Sequence, residues 1–344
     1  MCTKKYFDLS AKKKRGAEIM DFLKKLTETF SPSGCEDTIC DIIFEEIKDC
    51  ADSVYKDTLG NLVVRKEGRG KKIMFSAHAD EIGLMITYID DKGFLRFSPI
   101  GWVDPIYALY QRVRFSNGVT GVISFEEKLD AVKDIKIKNL FIDIGAKDKQ
   151  DAEKMVSVGD TAQFVGEFIT NGDRVMSKTL DNRAGVYVLT EAIKKIKSDN
   201  DLYFVFTCQE EVGLRGAKTS TYDIFPDYGF AVDVTDTGDT PECKFMDVEL
   251  GKGPCIKIKD QSVICDRQLV TKMKDIATAN SIPYQLEVLE HGGTDAGAMH
   301  ITKSGVKTGA ISIPTRYIHS TCETCDINDI KNAILLVEKI ADEI

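Results

Sequence analysis

The chain has 344 residues, of which 43% are hydrophobic and 29% are charged, a composition typical of a folded globular protein. Its 46 basic and 55 acidic residues leave a net charge of −9, which argues against nucleic acid or an anionic membrane as the main partner. No apolar run approaches the roughly 20 residues of a membrane span. Ten scattered cysteines without a secretory signal predict reduced thiols in a cytoplasmic protein rather than a disulfide framework.

Residues 1–19 form an N-terminal extension with a basic tract, and we interpret Met20 as an alternative start of translation because a clean amphipathic pattern begins there. Apolar residues at helical spacing predict one helix up to Phe30 and a second that ends near Ile47. A hairpin over residues 53–66 and a strand over residues 72–77 follow. These segments predict the first part of an α/β domain.

From residue 84 to residue 172 the pattern changes to short alternating runs separated by glycines and charges. This pattern is typical of a small β domain, which we predict to be a barrel inserted into the α/β domain. The strand-like runs are residues 84–89, 94–97, 112–115, 119–124 and 140–144. Helical spacing occurs in this region only over about residues 148–157.

Alternating strands and helices return from residue 173 and continue to residue 344. Residues 20–83 and 173–344 are therefore predicted to form one catalytic domain of the α/β class, with a central mixed sheet flanked by helices. The predicted segments after the first long helix are residues 202–208, 213–220, 229–234, 255–259, 266–280, 284–289, 294–303, 307–312 and 327–342.

Polar side chains occur where the predicted strands end. Ligands gather at the carboxyl ends of strands in open α/β sheets, so residues distant in sequence are expected to converge there. An additional acidic residue, Asp181, opens the long helix. The strand-end residues are His78, Asp80, Glu210, Glu211, Asp233 and His319.

Imidazoles with several carboxylates suit two borderline divalent ions such as zinc or cobalt. A carboxylate shared by two such ions holds them close together, and a water between them becomes a nucleophile at neutral pH. A glutamate that does not bind metal would then serve as the base. The sequence therefore predicts a metal-dependent hydrolase.

Each of these residues, taken alone, has an ordinary explanation other than metal binding. Asp80 either orients the His78 imidazole from behind or is an unrelated neighbour, and Asp181 alone would be read as a helix N-cap. Asp236 and Asp239 compete with Asp233. His319 alone is either a ligand or a polar surface residue. We read the two remaining histidines, His291 and His300, as structural or substrate-side, and a lone Cys-x-x-Cys at residues 322–325 does not complete a zinc site.

Six linked motifs nevertheless resemble the M42 family of metallo-aminopeptidases, which includes deblocking, glutamyl and tetrahedral (TET) peptidases. The resemblance extends from about residue 20 to the end, in matching order. The motifs are His78-x-Asp80-Glu81-Ile82-Gly83, Asp181-Asn182-Arg183-x-Gly185, Gln209-Glu210-Glu211-Val212-Gly213-x-Arg215-Gly216-Ala217, Asp233 with Gly238-Asp239, Gly293-Thr294-Asp295-Ala296 and Arg316-Tyr317-Ile318-His319-Ser320.

The resemblance implies a role for each site residue. His78 and Asp233 would hold one metal ion, Glu211 and His319 the other, and Asp181 would bridge the two. Glu210 would be the general base, and Asp80 would orient His78. It also implies that the inserted domain is a PDZ-like dimerisation domain and that dimers assemble into a hollow dodecamer.

The expected reaction removes N-terminal residues from peptides, with Glu210 moving a proton from the attacking water to the leaving amine. The runner-up is a related deacylase or carboxypeptidase, and a third alternative is a non-catalytic peptide-binding scaffold. We expect loops near residues 251–265 and 291–296 to form the specificity pocket, with Arg316 and Asp295 as substrate contacts. Lys257 and Lys259 either favour an acidic side chain there or are ordinary exposed lysines.

Overall fold

A computed structural model of the chain describes residues 21–127, 135–243 and 246–344. The proposed start at Met20 and the extension before it lie outside these residues. The chain folds into a large mixed sheet flanked by helices, with a small closed barrel inserted between two of its segments. This architecture confirms the predicted fold class.

The main sheet has eleven described strands. They are β1 (Ser53–Lys56), β2 (Leu62–Lys66), β3 (Lys72–His78), β10 (Ile169–Asn171), β11 (Arg174–Ser177), β12 (Asp201–Thr207), β13 (Tyr228–Thr235), β14 (Cys255–Lys259), β15 (Gln285–Val288), β16 (Lys307–Arg316) and β17 (Glu323–Asp326). Their order is β1-β2-β12-β3-β13-β16-β17-β11-β10, and β14 branches from β16 and carries β15.

Four neighbouring strands in the centre of this sheet, β12, β3, β13 and β16, are mutually parallel. Their carboxyl ends therefore meet at one edge of the sheet. Three phenylalanines, Phe204, Phe75 and Phe230, stand side by side across β12, β3 and β13 with ring centroids 5.5 and 5.3 Å apart. The same register places Thr207 beside His78, so the two strands end together.

Helices cover both faces of the sheet. They are α1 (residues 21–28), α2 (Asp37–Ile47), α5 (Leu180–Ile193), α6 (Arg215–Ile224), α7 (Arg267–Ala279), α8 (Asp295–Met299) and α9 (Ile327–Glu343). Residues of α1, α2, α5, α7 and α9 share one apolar core with the Phe75 face. Residues of α6 and α8 pack on the opposite face, where Met74 lies. Among the described helices, none is long and apolar enough to cross a bilayer.

The inserted barrel closes through the strand order β4-β5-β8-β7-β6-β9 and has an apolar core of its own. Its strands are β4 (Gly83–Ile89), β5 (Leu95–Ile100), β6 (Arg112–Phe115), β7 (Thr120–Phe125), β8 (Leu140–Asp143) and β9 (Thr161–Phe164). Two short helices, α3 (Pro105–Ala108) and α4 (Lys149–Ala152), lie between them. The barrel enters after the carboxyl end of β3 and so stands beside the edge where the parallel strands end.

Several predicted segments need correction. The helix expected over residues 148–157 is only the four-residue α4, and α3 was not predicted. The segment expected over residues 294–303 is helical only at Asp295–Met299, and the strand expected to end at residue 312 continues to Arg316. Strands β10, β11 and β17 were also missed, because each is only three or four residues long and has little alternation to detect.

Candidate metal centre

The structure brings five of the predicted site residues together at the carboxyl edge of the parallel strands. His78 is the last residue of β3, and Asp233 lies near the end of β13. Glu211 follows β12, His319 follows β16, and Asp181 begins α5 beside them. Oxygen and nitrogen atoms of His78, Asp181 and Glu211 all lie within 4.8 Å of one another.

Asp181 joins two halves of this cluster. Its Oδ1 lies 3.1 Å from Nε2 of His78, and its Oδ2 lies 3.2 Å from Nε2 of His319. Each imidazole also faces a second carboxylate. Asp233 Oδ1 is 3.7 Å from the His78 ring, and Glu211 Oε2 is 3.3 Å from the His319 ring. Asp181 does not cap α5: the backbone is non-helical at Asp181 and Asn182, Asn182 Oδ1 accepts the Gly185 N–H, and the Asp181 carboxylate points at the histidines.

Asp80 is fully buried behind this cluster and holds the loop that carries the two glutamates. Its Oδ1 accepts the Glu210 backbone N–H at 3.0 Å, and its Oδ2 accepts the Glu211 N–H at 3.2 Å. The same carboxylate lies 3.4 Å from Nδ1 of His78 and accepts a hydrogen bond from Ser33. Burial alone would raise the pKa of Asp80, but the contacts with His78 and Ser33 outweigh it and lower the pKa.

Glu323, at the start of β17, performs a similar task on the other side and was not predicted. Its two carboxylate oxygens accept the backbone N–H groups of Asp181 at 2.9 Å and His319 at 2.8 Å. Burial and the nearby charge of Asp181 raise the pKa of Glu323 to about 8. Only its position four residues after His319 could have drawn attention to it in the sequence.

The cluster holds an excess of negative charge in a buried place. Burial strongly raises the pKa of Glu210 and of Asp233, and neighbouring carboxylates add to the effect. Burial disfavours charged His78 and His319, but Glu210 and Glu211 beside them raise the pKa of both imidazoles. Carboxylates buried this close together need a cation nearby to remain ionised.

These residues fit divalent metal ions. Glu211 Oε1 is buried and has no hydrogen-bond partner among the described residues, so a lone pair is left for a ligand. Carboxylate oxygen and imidazole nitrogen are the donors that zinc and cobalt accept. Asp181, with one oxygen facing each histidine, has the arrangement that a shared carboxylate requires.

The two predicted substrate contacts lie outside this cluster. The Arg316 guanidinium makes a bidentate pair with Asp239, at 2.8 and 2.7 Å. Burial opposes ionisation of Asp239, but the hydrogen bond from Arg316 lowers its pKa to about 2. Asp295 is buried and accepts a hydrogen bond from the Thr207 hydroxyl at 2.7 Å. Substrate contact by Arg316 and Asp295 remains a prediction.

The reading of Lys257 as an exposed lysine is wrong. Its side chain is fully buried, with the ammonium 2.5 Å from Glu287 Oε1 and 3.2 Å from Asp260 Oδ2. Lys259 is partly exposed. The other two histidines have local partners: His291 lies 3.1 Å from Asp236, and His300 contacts the carbonyl of Ala296. Cys325 of the Cys-x-x-Cys is buried, whereas Cys322 is exposed.

Known proteins resemble this chain over nearly its whole length. The lysyl aminopeptidase of Pyrococcus furiosus is 35% identical over 338 residues, which cover 94% of this chain and 97% of that protein. The structure of aminopeptidase APDkam598 from the archaeon Desulfurococcus kamchatkensis matches with a TM-score of 0.91 and 42% identity over 95% of each chain. The Pyrococcus horikoshii TET1 peptidase, described as assembling into a tetrahedron or a large octahedral shell, matches with a TM-score of 0.85 and 40% identity over 95% of this chain and 100% of its own.

The family described as M42 glutamyl aminopeptidase matches residues 60–336. This range includes the inserted barrel and the strand ends at which the candidate metal-binding cluster lies. Sequence, fold and site therefore agree, and the chain belongs to the M42 family of metallo-aminopeptidases.

Proposed function

We propose that the chain is a dinuclear-metal aminopeptidase that removes N-terminal amino acids from peptides. The observation that carries the proposal is the Asp181 carboxylate, which presents one oxygen to each of two histidines. His78 and Asp233 would hold one ion, and Glu211 and His319 the other, with Asp181 common to both. Zinc and cobalt both suit these donors.

When bound, such ions polarise a scissile carbonyl and make the attacking water more acidic. Glu210 accepts the proton of that water as the new C–O bond forms. It then donates the proton to the amine nitrogen as the C–N bond breaks, so that the carboxylate is regenerated. Its Oε2 lies 4.0 Å from Nε2 of His78, inside the cluster but farther from the imidazole than the carboxylate of Asp181.

Asp80 and Glu323 contribute by position. Asp80 fixes the backbone from which the Glu210 and Glu211 side chains diverge, and it contacts the His78 ring on the side away from Asp181. Glu323 fixes Asp181 and His319. Four of the groups that act on metal or proton are thus held by two buried carboxylates, which keeps them in place before substrate arrives.

The test is hydrolysis of a panel of aminoacyl-p-nitroanilides, each with its amine free and acetylated, by protein reconstituted with zinc or cobalt. Cleavage of the free-amine set alone, abolished by a chelator, is the expected result and also shows the preferred N-terminal residue. Cleavage of the acetylated set alone would replace the proposal with a deacylase. If the metal-loaded protein cleaves neither set and no longer peptide, the remaining alternative is a non-catalytic peptide-binding protein.

The subunits are further proposed to pair through the barrel and to assemble as dimers into a dodecamer. The similarity to the TET1 peptidase supports this, since that protein is described as assembling into a tetrahedron or a large octahedral shell. Light scattering of the purified protein would give a mass near twelve subunits. A stable monomer at micromolar concentration would contradict the assembly but not the activity.

A further inference from the structure

Trp102, the one tryptophan in the sequence, lies at the rim of the metal centre. It belongs to the inserted barrel and stands in the loop between β5 and α3. Its ring centroid is 5.8 Å from that of His319, with the two planes inclined at 40°. Its side chain is nevertheless 62% exposed. One face of a large apolar group therefore touches a predicted metal ligand while another faces solvent.

The loop that carries Trp102 is fixed in this place. Gly101 has a φ of +75°, and a Cβ there would lie 3.1 Å from Glu211 Oε2 and 2.8 Å from a methyl group of Ile82. Any side chain at residue 101 would therefore collide with Ile82 and crowd Glu211, so only glycine lets the loop run this close to the cluster. On the other side of Trp102, Asp104 accepts the Ile106 N–H at 2.7 Å and caps α3. Both ends of the loop are therefore held.

A second contact ties the barrel to the loop that carries His319. The Thr321 hydroxyl donates to Oε1 of Gln111 at 3.0 Å. The loop of His319 is consequently bonded to the barrel close to the start of β6. This hydrogen bond joins the His319 loop to the barrel that carries Trp102. The exposed face of the indole therefore borders the cluster.

Other loops contact the end of β12, next to His78. Ser262 and Leu214 lie so close to Gly297 that a Cβ there would collide with Ser262 and touch Leu214. The Thr207 hydroxyl donates a hydrogen bond to Asp295. Thr207 stands beside His78 in the sheet, so its bond to Asp295 puts the predicted specificity loop at residues 291–296 on the His78 side of the cluster, whereas Trp102 lies against His319. A peptide whose first side chain enters that loop would extend its second residue across the indole.

We infer that Trp102 is a specificity-determining residue that packs against the side chain following the scissile bond. The inference rests on the proposed aminopeptidase function and assigns a substrate contact to the inserted barrel. The ligand chemistry it favours is an apolar or aromatic second residue, because an indole face gains most from packing against flat or branched apolar groups.

The test compares dipeptides X-Gly, X-Leu and X-Phe, where X is the first residue that the wild-type enzyme prefers. Aromatic packing of about 0.5–1.5 kcal/mol corresponds to an increase of about two- to thirteenfold in KM for X-Leu and X-Phe in Trp102→Ala. X-Gly should change less than twofold, and Trp102→Phe should restore most of the loss. The metal content of each variant is measured alongside.

Tyr88→Ala is the matched control, since Tyr88 is an exposed aromatic residue of the same barrel that contacts Lys149 instead of the site. It should leave all three KM values unchanged. Equal losses on all dipeptides, a loss of bound metal in Trp102→Ala, or no change at all would each overturn the inference. A wild-type enzyme that cleaves no free-amine substrate would refute the proposed function itself, a result distinct from these.

The indole also gives a direct signal, because no other tryptophan contributes to the emission. Addition of X-Phe to metal-loaded Glu210→Gln protein should shift the emission to shorter wavelength, and X-Gly should shift it less. Unchanged emission at X-Phe concentrations above the wild-type KM would contradict contact between Trp102 and the second residue.

Discussion

Glu210 and Glu211 are neighbours in the chain, yet their carboxylates face different partners. Glu211 Oε2 lies 3.3 Å from the His319 ring, whereas Glu210 Oε2 lies 4.0 Å from the His78 ring. Side chains of successive residues diverge, so one loop held by Asp80 carries both the predicted metal ligand and the predicted base. The two residues should therefore fail in different ways when they are replaced.

We expect Glu210→Gln to retain both metal ions and to lose about three orders of magnitude in kcat, because an amide of the same shape cannot accept the proton. Metal content by atomic emission and turnover on the best p-nitroanilide measure the two effects separately. Asp181→Ala is the contrasting variant, and it should lose the metal itself. Near-normal turnover by metal-replete Glu210→Gln protein would assign the base to another group.

Glu323 offers a second test at the level of a single residue. Its carboxylate accepts the N–H groups of two predicted ligands, so Glu323→Ala should free both Asp181 and His319 to move. Loss of such a supporting group weakens metal affinity by about 10- to 100-fold in comparable sites. Titration calorimetry with zinc measures this without reference to activity.

Asp329 provides the control for Glu323. It is also a buried carboxylate that accepts two backbone N–H groups, those of Gly251 and Gly253, but neither belongs to a predicted metal ligand. Asp329→Ala should lower the stability and leave the zinc affinity unchanged. If both variants weaken zinc binding equally, the effect of Glu323 is a general loss of structure and not a specific support of the site.

At the scale of elements, β14 contains two lysines in opposite environments. Lys257 is fully buried between Glu287 and Asp260, while Lys259, two residues later, is partly exposed. Removing one partner of a buried ion pair leaves an uncompensated charge and costs about 3–5 kcal/mol. We expect Lys257→Met to lose that much free energy of unfolding in urea.

Lys259→Met is the matched control and should change the stability by no more than about 0.5 kcal/mol, as is usual for a surface replacement. Equal effects of the two replacements would show that the buried group of charges contributes little. A loss of substrate affinity for acidic N-terminal residues in either variant would instead support the alternative that this lysine favours an acidic side chain.

Local sequence patterns were sufficient to predict the long helices and strands, but they were insufficient to predict the short ones. The central strands β3, β12 and β13 are continuous apolar runs, and parallel strands buried on both faces have this signature. Strands β11 and β17 pair directly, but more than a hundred residues separate them in the sequence. Nothing in their four-residue sequences encodes that pairing, so they could not be predicted.

The site residues also divide into those that local sequence patterns can predict and those that depend on distant parts of the fold. His78, Glu210 and Asp233 could be proposed from the sequence because strand ends can be read locally and because parallel strands end at one edge. Glu323 and Trp102 could not, since their positions depend on β17 and on the barrel. Lys257 was misread for a related reason: its two carboxylate partners lie on the following loop and on β15.

At the scale of the whole molecule, the candidate metal centre joins segments from nearly every part of the fold. His78 precedes the barrel, Asp181 follows it, and His319 lies only 25 residues before the C-terminal residue Ile344. The loop that leaves β5 of the barrel runs close to Glu211 at Gly101, where a Cβ would lie 3.1 Å from Glu211 Oε2. A metal ion at this point would therefore connect distant parts of the chain, and such an ion would bind the folded state far better than the unfolded one.

Metal removal should accordingly lower the thermal stability of the whole protein. Binding to the folded state alone contributes about 4 kcal/mol when free metal exceeds the Kd a thousandfold. Scanning calorimetry at a fixed subunit concentration, with zinc and with chelator, measures the difference in Tm. Glu210→Gln should show the full wild-type difference because it keeps every predicted ligand. Glu323→Ala should require more zinc to reach the same Tm, and Asp181→Ala should melt at one temperature in both conditions. If the wild-type Tm does not respond to chelator, the cluster does not link these segments through metal, and the assignment of its ligands is wrong.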